Sequence, residues 1–349
     1  MSTIEPYDVT VVGAGLAGAL VASTLAEEGL KVVVLEATES LGGTIKHQPG
    51  LALLGTPEPF TQAVERRGDQ VAHTLWELTS ENLVRLEILL ERCGIASEKV
   101  GSLRLAVDAS QSAEFRESAA QLKQYGFDVT LEDDSRYGDQ VAISTSDDLL
   151  FTPQALVNKL LEHENIIVER DAEVEGVKRQ PDGSIAVSAH QRYLWTRKVI
   201  FANGVHAIRF DPGLAEILHP VCVHTIVFEN TQTLTRPLVL DNGHIFFVPY
   251  GDSVYLTGWD STETDILWRL SAVANQLCPN ALVRERFTAW VTTRDGTLPV
   301  VGELPGQSDV YIINGLGPFG LNLALVAADE LAELVLYDRQ PTLFALVQP

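Results

Sequence analysis

Sulfur and positive charge are both scarce in this chain. Three cysteines, Cys93, Cys222 and Cys278, and one methionine are spread over 349 residues. Thiols so far apart form neither a C-x-x-C pair nor an even, regularly spaced set. That excludes a disulfide framework and points to buried thiols in a reducing compartment. Lys and Arg number 25 against 47 Asp and Glu, for a formal charge of −22. Such a surface repels phosphate backbones and anionic lipid, so nucleic acid and membrane surfaces are excluded as general partners. No run approaches the roughly 18 apolar residues of a membrane span. Residues 1–8 lack the basic stretch of a secretory signal. The expectation is a cytoplasmic protein with no membrane span.

What is present in quantity is apolar surface. With 46% hydrophobic residues, the chain can bury a large core, and its length suggests about two domains. The organising stretch is Val9-Thr10-Val11-Val12-Gly13-Ala14-Gly15-Leu16-Ala17-Gly18, an apolar strand running through G-x-G-x-x-G into a helix. Gly13 permits the tight turn, Gly15 lets backbone approach a pyrophosphate, and Gly18 lets helix and strand pack closely. The helix N-terminus offers N–H groups to phosphate. The helix runs on through Leu20, Ala22, Leu25 and Ala26 to Gly29, and a second apolar strand, Lys31 to Leu35, ends on Glu36. That acid stands at the spacing that places a carboxylate on an adenosine ribose and disfavours a 2′-phosphate. A dinucleotide site without NADP is expected.

Downstream, Gly42-Gly43 follows the acid, and residues 44–59 lack periodicity and hold three prolines. Residues 60–94 read as one helical pattern through Trp76, Leu83, Leu86, Leu89 and Leu90, with Ser80 as an N-cap. Glu132-Asp133-Asp134 reads as a solvated loop. Strands near 237–241, 244–249 and 254–259, separated by Asn242-Gly243 and Gly251-Asp252, predict an antiparallel sheet. A last buried strand, Val310 to Ile313, enters Gly315-Leu316-Gly317-Pro318-Phe319-Gly320 and a helix to about Tyr337. With no second strand or acid behind it, this glycine run completes a site built elsewhere. No histidine shows metal-ligand spacing, and no metal is expected.

Taken in order, these pieces resemble the D-amino-acid oxidase/glycine oxidase/sarcosine oxidase family of FAD enzymes. Further carriers are Val199 to Gly204, similar to the family's strand ending in Ala-x-Gly, and Thr293-Arg294-Asp295-Gly296-Thr297-Leu298-Pro299. The resemblance covers nearly the whole chain. It implies an α/β plus α+β architecture: a Rossmann-like FAD-binding domain of 1–80, 150–218 and 290–349, interleaved with an antiparallel-sheet substrate domain of 81–149 and 219–289. The cofactor implied is FAD, the Gly42-Gly43 pair letting backbone run beside its pyrophosphate. Carried onto this sequence, the FAD contacts begin with Val12, Gly13, Gly15, Leu16, Ala17, Gly18, Glu36 and Ala37. They continue through Gly42, Gly43, Thr44, Lys46, His47, Gly50 and Leu51, then Val174, Ala202, Asn203 and Gly204. They close with Gly315, Gly317, Pro318, Phe319, Gly320, Leu321 and Asn322, where the last helix would direct N–H groups at the flavin.

The chemistry implied is hydride transfer from a carbon beside an amine nitrogen to flavin N5, giving an imine that water hydrolyses. A small amine or amino acid would be the substrate, with oxygen or a quinone as electron acceptor. No side-chain base is named, since a neutral amine needs none. Family members that take amino acids commonly hold an arginine about four residues before Arg294, where this chain has Trp290. Arg294 itself has two roles open, substrate contact or local structure. His224, Phe247, Tyr250, Trp259 and Trp290 form an aromatic set suited to an amine, or else belong to the core. His47 lies in a segment similar to the one that bears a flavin-linked histidine in dimethylglycine and sarcosine dehydrogenases, and covalent and plain roles are both open. Two other functions remain: an FAD-dependent 2-hydroxy-acid or alcohol dehydrogenase, which would need a base over the flavin, and a flavin-binding protein with a degenerated site. Oligomeric state is not readable.

Overall fold

The computed structural model describes residues 7–134, 140–229, 235–260, 263–294 and 298–346. Strand Tyr7–Val12 lies inside an eight-stranded sheet with Val9 to Val12 all buried. Its parallel neighbours are Val32–Leu35 and the C-terminal half of Arg192–Phe201, so that Val11 stands across from both Val34 and Ile200. Ile166–Glu169 lies outside Val32–Leu35, and Val310–Asn314 outside Phe201, both parallel. These strands are continuous Val/Ile/Leu runs because a parallel sheet is covered on both faces. Helices Leu16–Glu27, Pro153–Leu160 and Ala324–Tyr337 pack together over one face. On the other, Val12, Val33 and Phe201 meet Ala207, Leu214 and Leu218. The hairpin of Val174–Arg179 and Ile185–Ala189 extends one side, and Val300–Glu303 pairs antiparallel with Val310–Asn314.

A second eight-stranded sheet runs in the order Val283–Thr293, His219–Glu229, Ser253–Asp260, Ile245–Tyr250, Leu238–Leu240, Ser102–Leu105, Gln140–Thr145, Val129–Asp134. Side chains alternate between its faces. Helix Glu263–Leu277 covers one of them so closely that a Cβ on Gly258 would come within 2.8 Å of Ile266 and Leu270. The other face, carrying Val223, Phe246, Val248, Tyr255 and Thr257, turns toward the glycine turns of the first sheet. Three short strands, Gly50–Ala52, Leu149–Phe151 and Ser97–Lys99, join the two bodies.

Three expectations are corrected. The 60–94 pattern is two helices, Phe60–Arg67 and Asp69–Arg92, broken at Gly68, whose φ of +83° ends the first. Ser80 is interior to the second helix and caps nothing. The buried stripe Ala72, Leu75, Trp76, Thr79, Leu83 runs straight past it. The acidic run belongs to the edge strand Val129–Asp134. There Glu132 meets Arg236 at 2.9 Å and Asp133 meets Arg116 at 3.0 Å. Charges on an edge strand deter further pairing, which is why a strand can carry a composition that reads as loop.

Trp76 anchors the helical side of the core. It is 1% exposed, with Phe60 and Phe127 set edge-on to its ring. Gly55 lies against that ring at φ +80°, and a Cβ there would stand 2.4 Å from it. Gly55→Ala therefore meets both a left-handed backbone and an occupied volume, at a cost of roughly 2 kcal/mol or more. Thermal unfolding of the variant should show a lowered midpoint; an unchanged one would contradict this packing.

Candidate functional site

The close seating of the first helix creates the site. A Cβ on Gly18 would stand 2.0 Å from the Gly13 carbonyl oxygen, and one on Gly13, at φ +104°, would stand 2.8 Å from that of Ala202. Only glycine allows this approach. Gly15 differs: a Cβ there would meet nothing within 4 Å, because it faces a cavity. It is also the N-cap of Leu16–Glu27, and no side chain caps that helix. Its first-turn N–H groups thus remain available to an anion.

That cavity, about 860 Å³, lies between the two sheets. One group of lining residues is Val12, Gly13, Gly15, Leu16, Ala17, Glu36, Ala37, Val174, Ala202, Asn203 and Gly204, joined by Thr38, Glu173, His206 and Arg209. A second is Gly42, Gly43, Thr44, Ile45, Gln48, Leu51, Leu316, Gly317, Pro318, Gly320 and Leu321. The third is the wall of the second sheet: Val223, Phe246, Val248, Tyr255, Thr257, Phe287, Ala289 and Val291, with Thr288 and Trp290 at the same strand.

Glu36 is held rigidly. One carboxylate oxygen accepts from the Ala14 amide at 3.0 Å, the other from the amide and hydroxyl of Thr38, each at 3.0 Å. A carboxylate has about four acceptor positions, so one stays open for a ribose hydroxyl. Asn203 keeps a buried Oδ1 with no hydrogen-bond partner. The uncapped helix, the open face at Gly15, the fixed carboxylate and this orphaned acceptor fit an adenine dinucleotide extended toward the second sheet.

Several expected site residues are placed elsewhere. Phe247 is a correction: it is fully buried on the helix side of the second sheet, among Leu103, Phe228, Leu256 and Ile266. Its neighbours Phe246 and Val248 take the cavity side. His224 also lies on the helix side, 7% exposed, with its ring nitrogens toward Cys222 and Thr288. Tyr250 meets the Thr152 hydroxyl at 2.7 Å, and Trp259 donates its indole N–H to the Gly243 carbonyl and lies against the tilted ring of His244. Both stay outside the lining. Arg294 is buried and donates to the Ala345 carbonyl at 2.8 Å, which makes it a clamp on the C-terminal segment. Trp290 borders the cavity and is 55% exposed.

Among the expected cofactor residues, Gly18, Gly50, Gly315, Phe319 and Asn322 serve packing and do not line the cavity. Gly50 abuts Phe151 and Pro153, and Gly315 abuts Leu218, Leu298 and Val300. Phe319 packs edge-on against Phe246. Asn322 accepts from the Leu53 amide at 2.9 Å and donates to the Gly55 carbonyl. Asp295 to Thr297 and the side chains of Lys46 and His47 lie outside the described residues. Sequence reasoning missed the true wall, Phe246, Val248, Tyr255, Thr257 and Phe287. It also missed Arg104, buried on the same face of the second sheet as Phe246, which donates to the carbonyls of Leu54 and Thr56. Burial pushes its guanidinium down while Asp148 and Glu58 oppose that.

The fold and the glycine-lined cavity define a dinucleotide-dependent oxidoreductase. The chain belongs to the DAO family of FAD dependent oxidoreductases, whose profile matches residues 8–334; its cofactor is FAD. Among curated relatives, the uncharacterized oxidoreductase YurR of Bacillus subtilis is 25% identical over 93% of this chain and 94% of its own length. The probable oxidoreductase OrdL of Haemophilus influenzae is 33% identical over 109 residues, 31% of this chain, and this chain spans only 25% of that relative's length. Similar solved structures include glycine oxidase from Geobacillus kaustophilus, with TM-score 0.78, 18% identity and coverage of 97% and 96% of the two chains. L-proline dehydrogenase from P. horikoshii gives 0.78, 17%, 96% and 95%.

Glu36→Ala should test the ribose end. It removes an acceptor from three donors, so FAD affinity should fall at least about tenfold and stability by about 1–3 kcal/mol. FAD titration of the apoprotein and thermal unfolding measure the two effects separately.

Proposed function

We propose that the protein oxidises a C–N bond of an amine or amino acid, releasing an imine that water hydrolyses. FAD, when bound, supplies the hydride acceptor at N5. Holding it would fall to the first-turn N–H groups of helix Leu16–Glu27 at the pyrophosphate, to Glu36 at the ribose, and to the backbone of Gly42 to Ile45 and Leu316 to Leu321 along the ring system.

The observation that carries this reading is the chemistry of the sheet wall. The polar side chains that the wall turns to the cavity are the hydroxyls of Tyr255 and Thr257; the Thr288 hydroxyl is turned to His224 on the helix side, the Thr292 hydroxyl is bonded to Asn314, and the remainder of the wall is apolar or aromatic. Burial pushes the Tyr255 phenol up, which keeps it a protonated donor near neutrality. Among the described residues, the charged or basic ones that line the cavity, Glu36, Glu173, His206 and Arg209, are all contributed by the first sheet and its connections. His224 is on the opposite face of the wall, and His244 Nδ1 is 2.8 Å from the Asp241 carbonyl. A neutral amine drives hydride departure with its own lone pair, whereas an alcohol or 2-hydroxy acid needs a positioned base. The wall therefore suits C–N rather than C–OH oxidation. Neighbours named for glycine, L-proline and L-amino acids are consistent with that choice. Oxygen or a quinone would take the electrons afterward.

Anaerobic mixing of the yellow holoprotein with amines, D- and L-amino acids, N-methyl amino acids and 2-hydroxy acids should bleach the visible band with members of the first three groups. Bleaching by hydroxy acids alone would overturn the proposal. Because only the neutral amine reacts, the second-order reduction rate should rise with pH and level off near the pKa of the substrate amine. Replacing the substrate by a less basic amine should move that plateau to lower pH. A profile that stays fixed when the amine is changed would instead identify a residue as the base.

A further inference from the structure

On the helix side of the second sheet, away from the cavity, Cys222 Sγ lies 3.4 Å from His224 Nε2. His224 Nδ1 lies 3.2 Å from Thr288 Oγ1. Cys222 and His224 are two apart on strand His219–Glu229 and so share a face. Thr288 stands directly across from His224 on the edge strand Val283–Thr293, and Trp290 directly across from Cys222. The thiol is half-buried and the imidazole buried, while Thr288 and Trp290 are exposed, so the pair sits just under the surface of the sheet edge. A nucleophile within hydrogen-bond reach of a base, with the base oriented by a third group, is the arrangement that activates a cysteine. In the tautomer whose Nδ1–H donates to Thr288, Nε2 is the basic nitrogen, and it is the one facing the thiol.

The surroundings do not duplicate this elsewhere. Burial pushes Cys278 up to about 11 and also raises Cys93. Around Cys222 the described charged groups come from three elements. Asp260 is directly across on Ser253–Asp260, with its carboxylate 2.8 Å from Arg269 of helix Glu263–Leu277. Arg269 also reaches Asp241 at 3.0 Å. That helix otherwise sets Ile266 and Leu270 over Gly258, opposite His224, with Asp265 exposed. Arg286 is exposed two residues from Thr288 on the edge strand.

We propose that Cys222 is a modification site, a thiol activated by His224 that exchanges with low-molecular-weight disulfides at the outer face of the second sheet. His224 Nε2 takes the thiol proton, and the thiolate attacks one sulfur of the incoming disulfide. A new S–S bond to Cys222 forms as the incoming S–S bond breaks, and the departing thiolate recovers the proton from the imidazolium. One thiol and one disulfide give one mixed disulfide and one thiol, so no other oxidant is required.

The test uses the FAD-loaded protein. Incubation with oxidised glutathione near neutral pH, followed by peptide mass mapping, should place the adduct on Cys222. Iodoacetamide alkylation, followed site by site against pH, should run at least about tenfold faster at Cys222 than at Cys93 or Cys278 near neutrality. Its midpoint should lie below the ordinary thiol value of about 8.5. In H224Q with its flavin absorption intact, the Cys222 rate near neutrality should drop about tenfold and the midpoint return toward the ordinary value. T288V should move it part of the way. A wild-type midpoint at or above the ordinary value, or an adduct on Cys93 or Cys278 in place of Cys222, would overturn the proposal. The wild-type measurements decide the matter even if a variant fails to fold.

Discussion

The near-contact of Gly18 with the Gly13 carbonyl governs the rest of the molecule. It seats helix Leu16–Glu27 flat against strand Tyr7–Val12, and this sets where the helix N-terminus points. The same turn brings Gly13 N–H to the Leu35 carbonyl at 2.8 Å and Ala14 N–H to Glu36, so strand, turn, helix and ribose carboxylate form one rigid unit. Ala202 N–H then bonds to the Val12 carbonyl at 2.9 Å, bringing the far end of Arg192–Phe201 to the same spot. A phosphate-binding helix end needs a fixed direction more than a strong charge. Here that direction follows from two missing side chains.

The second sheet solves a different problem. It must be apolar on both faces, since a helix covers one and the cavity occupies the other. Its central strands therefore lose the clean alternation that would separate inside from outside. What distinguishes the two faces is small. Gly258 clears room for Ile266 and Leu270 on one side, and the hydroxyls of Thr225 and Thr257 meet at 2.9 Å on the other. Polar groups on the cavity face are thus tied to one another, and the wall offers a ligand hydroxyls and aromatic surface without fixed charge.

This difference explains what could be read from the sequence. The glycine turns stand out in the sequence because a left-handed or closely approached backbone requires glycine, and Glu36 stands out by its spacing from the first of them. Phe247 was misplaced because nothing in Ile245–Tyr250 says which face is which; the assignment rests on register with Ser253–Asp260 and on the covering helix. Arg294 was ambiguous for another reason. Its partner, the Ala345 carbonyl, is 51 residues away and carries no side-chain signature. The break at Gly68 was hidden by a buried stripe that continues on both sides of it, and the acids of Val129–Asp134 hid a strand whose role at the sheet edge is to discourage pairing. Local chemistry was readable, and long-range register was not.

The path of the chain has a consequence for its synthesis. Helix Ala324–Tyr337 packs on helix Leu16–Glu27, and strand Val310–Asn314 completes the parallel sheet begun by Tyr7–Val12. A segment made early is thus finished by one that follows much later in the chain. Until that segment arrives, the face of helix Leu16–Glu27 that it packs against has no permanent cover, and the nucleotide turn is formed locally but open on one side. Non-local closure of this kind is slow and exposes sticky surface while it waits. Timing, as much as binding strength, then decides when the cofactor can be captured.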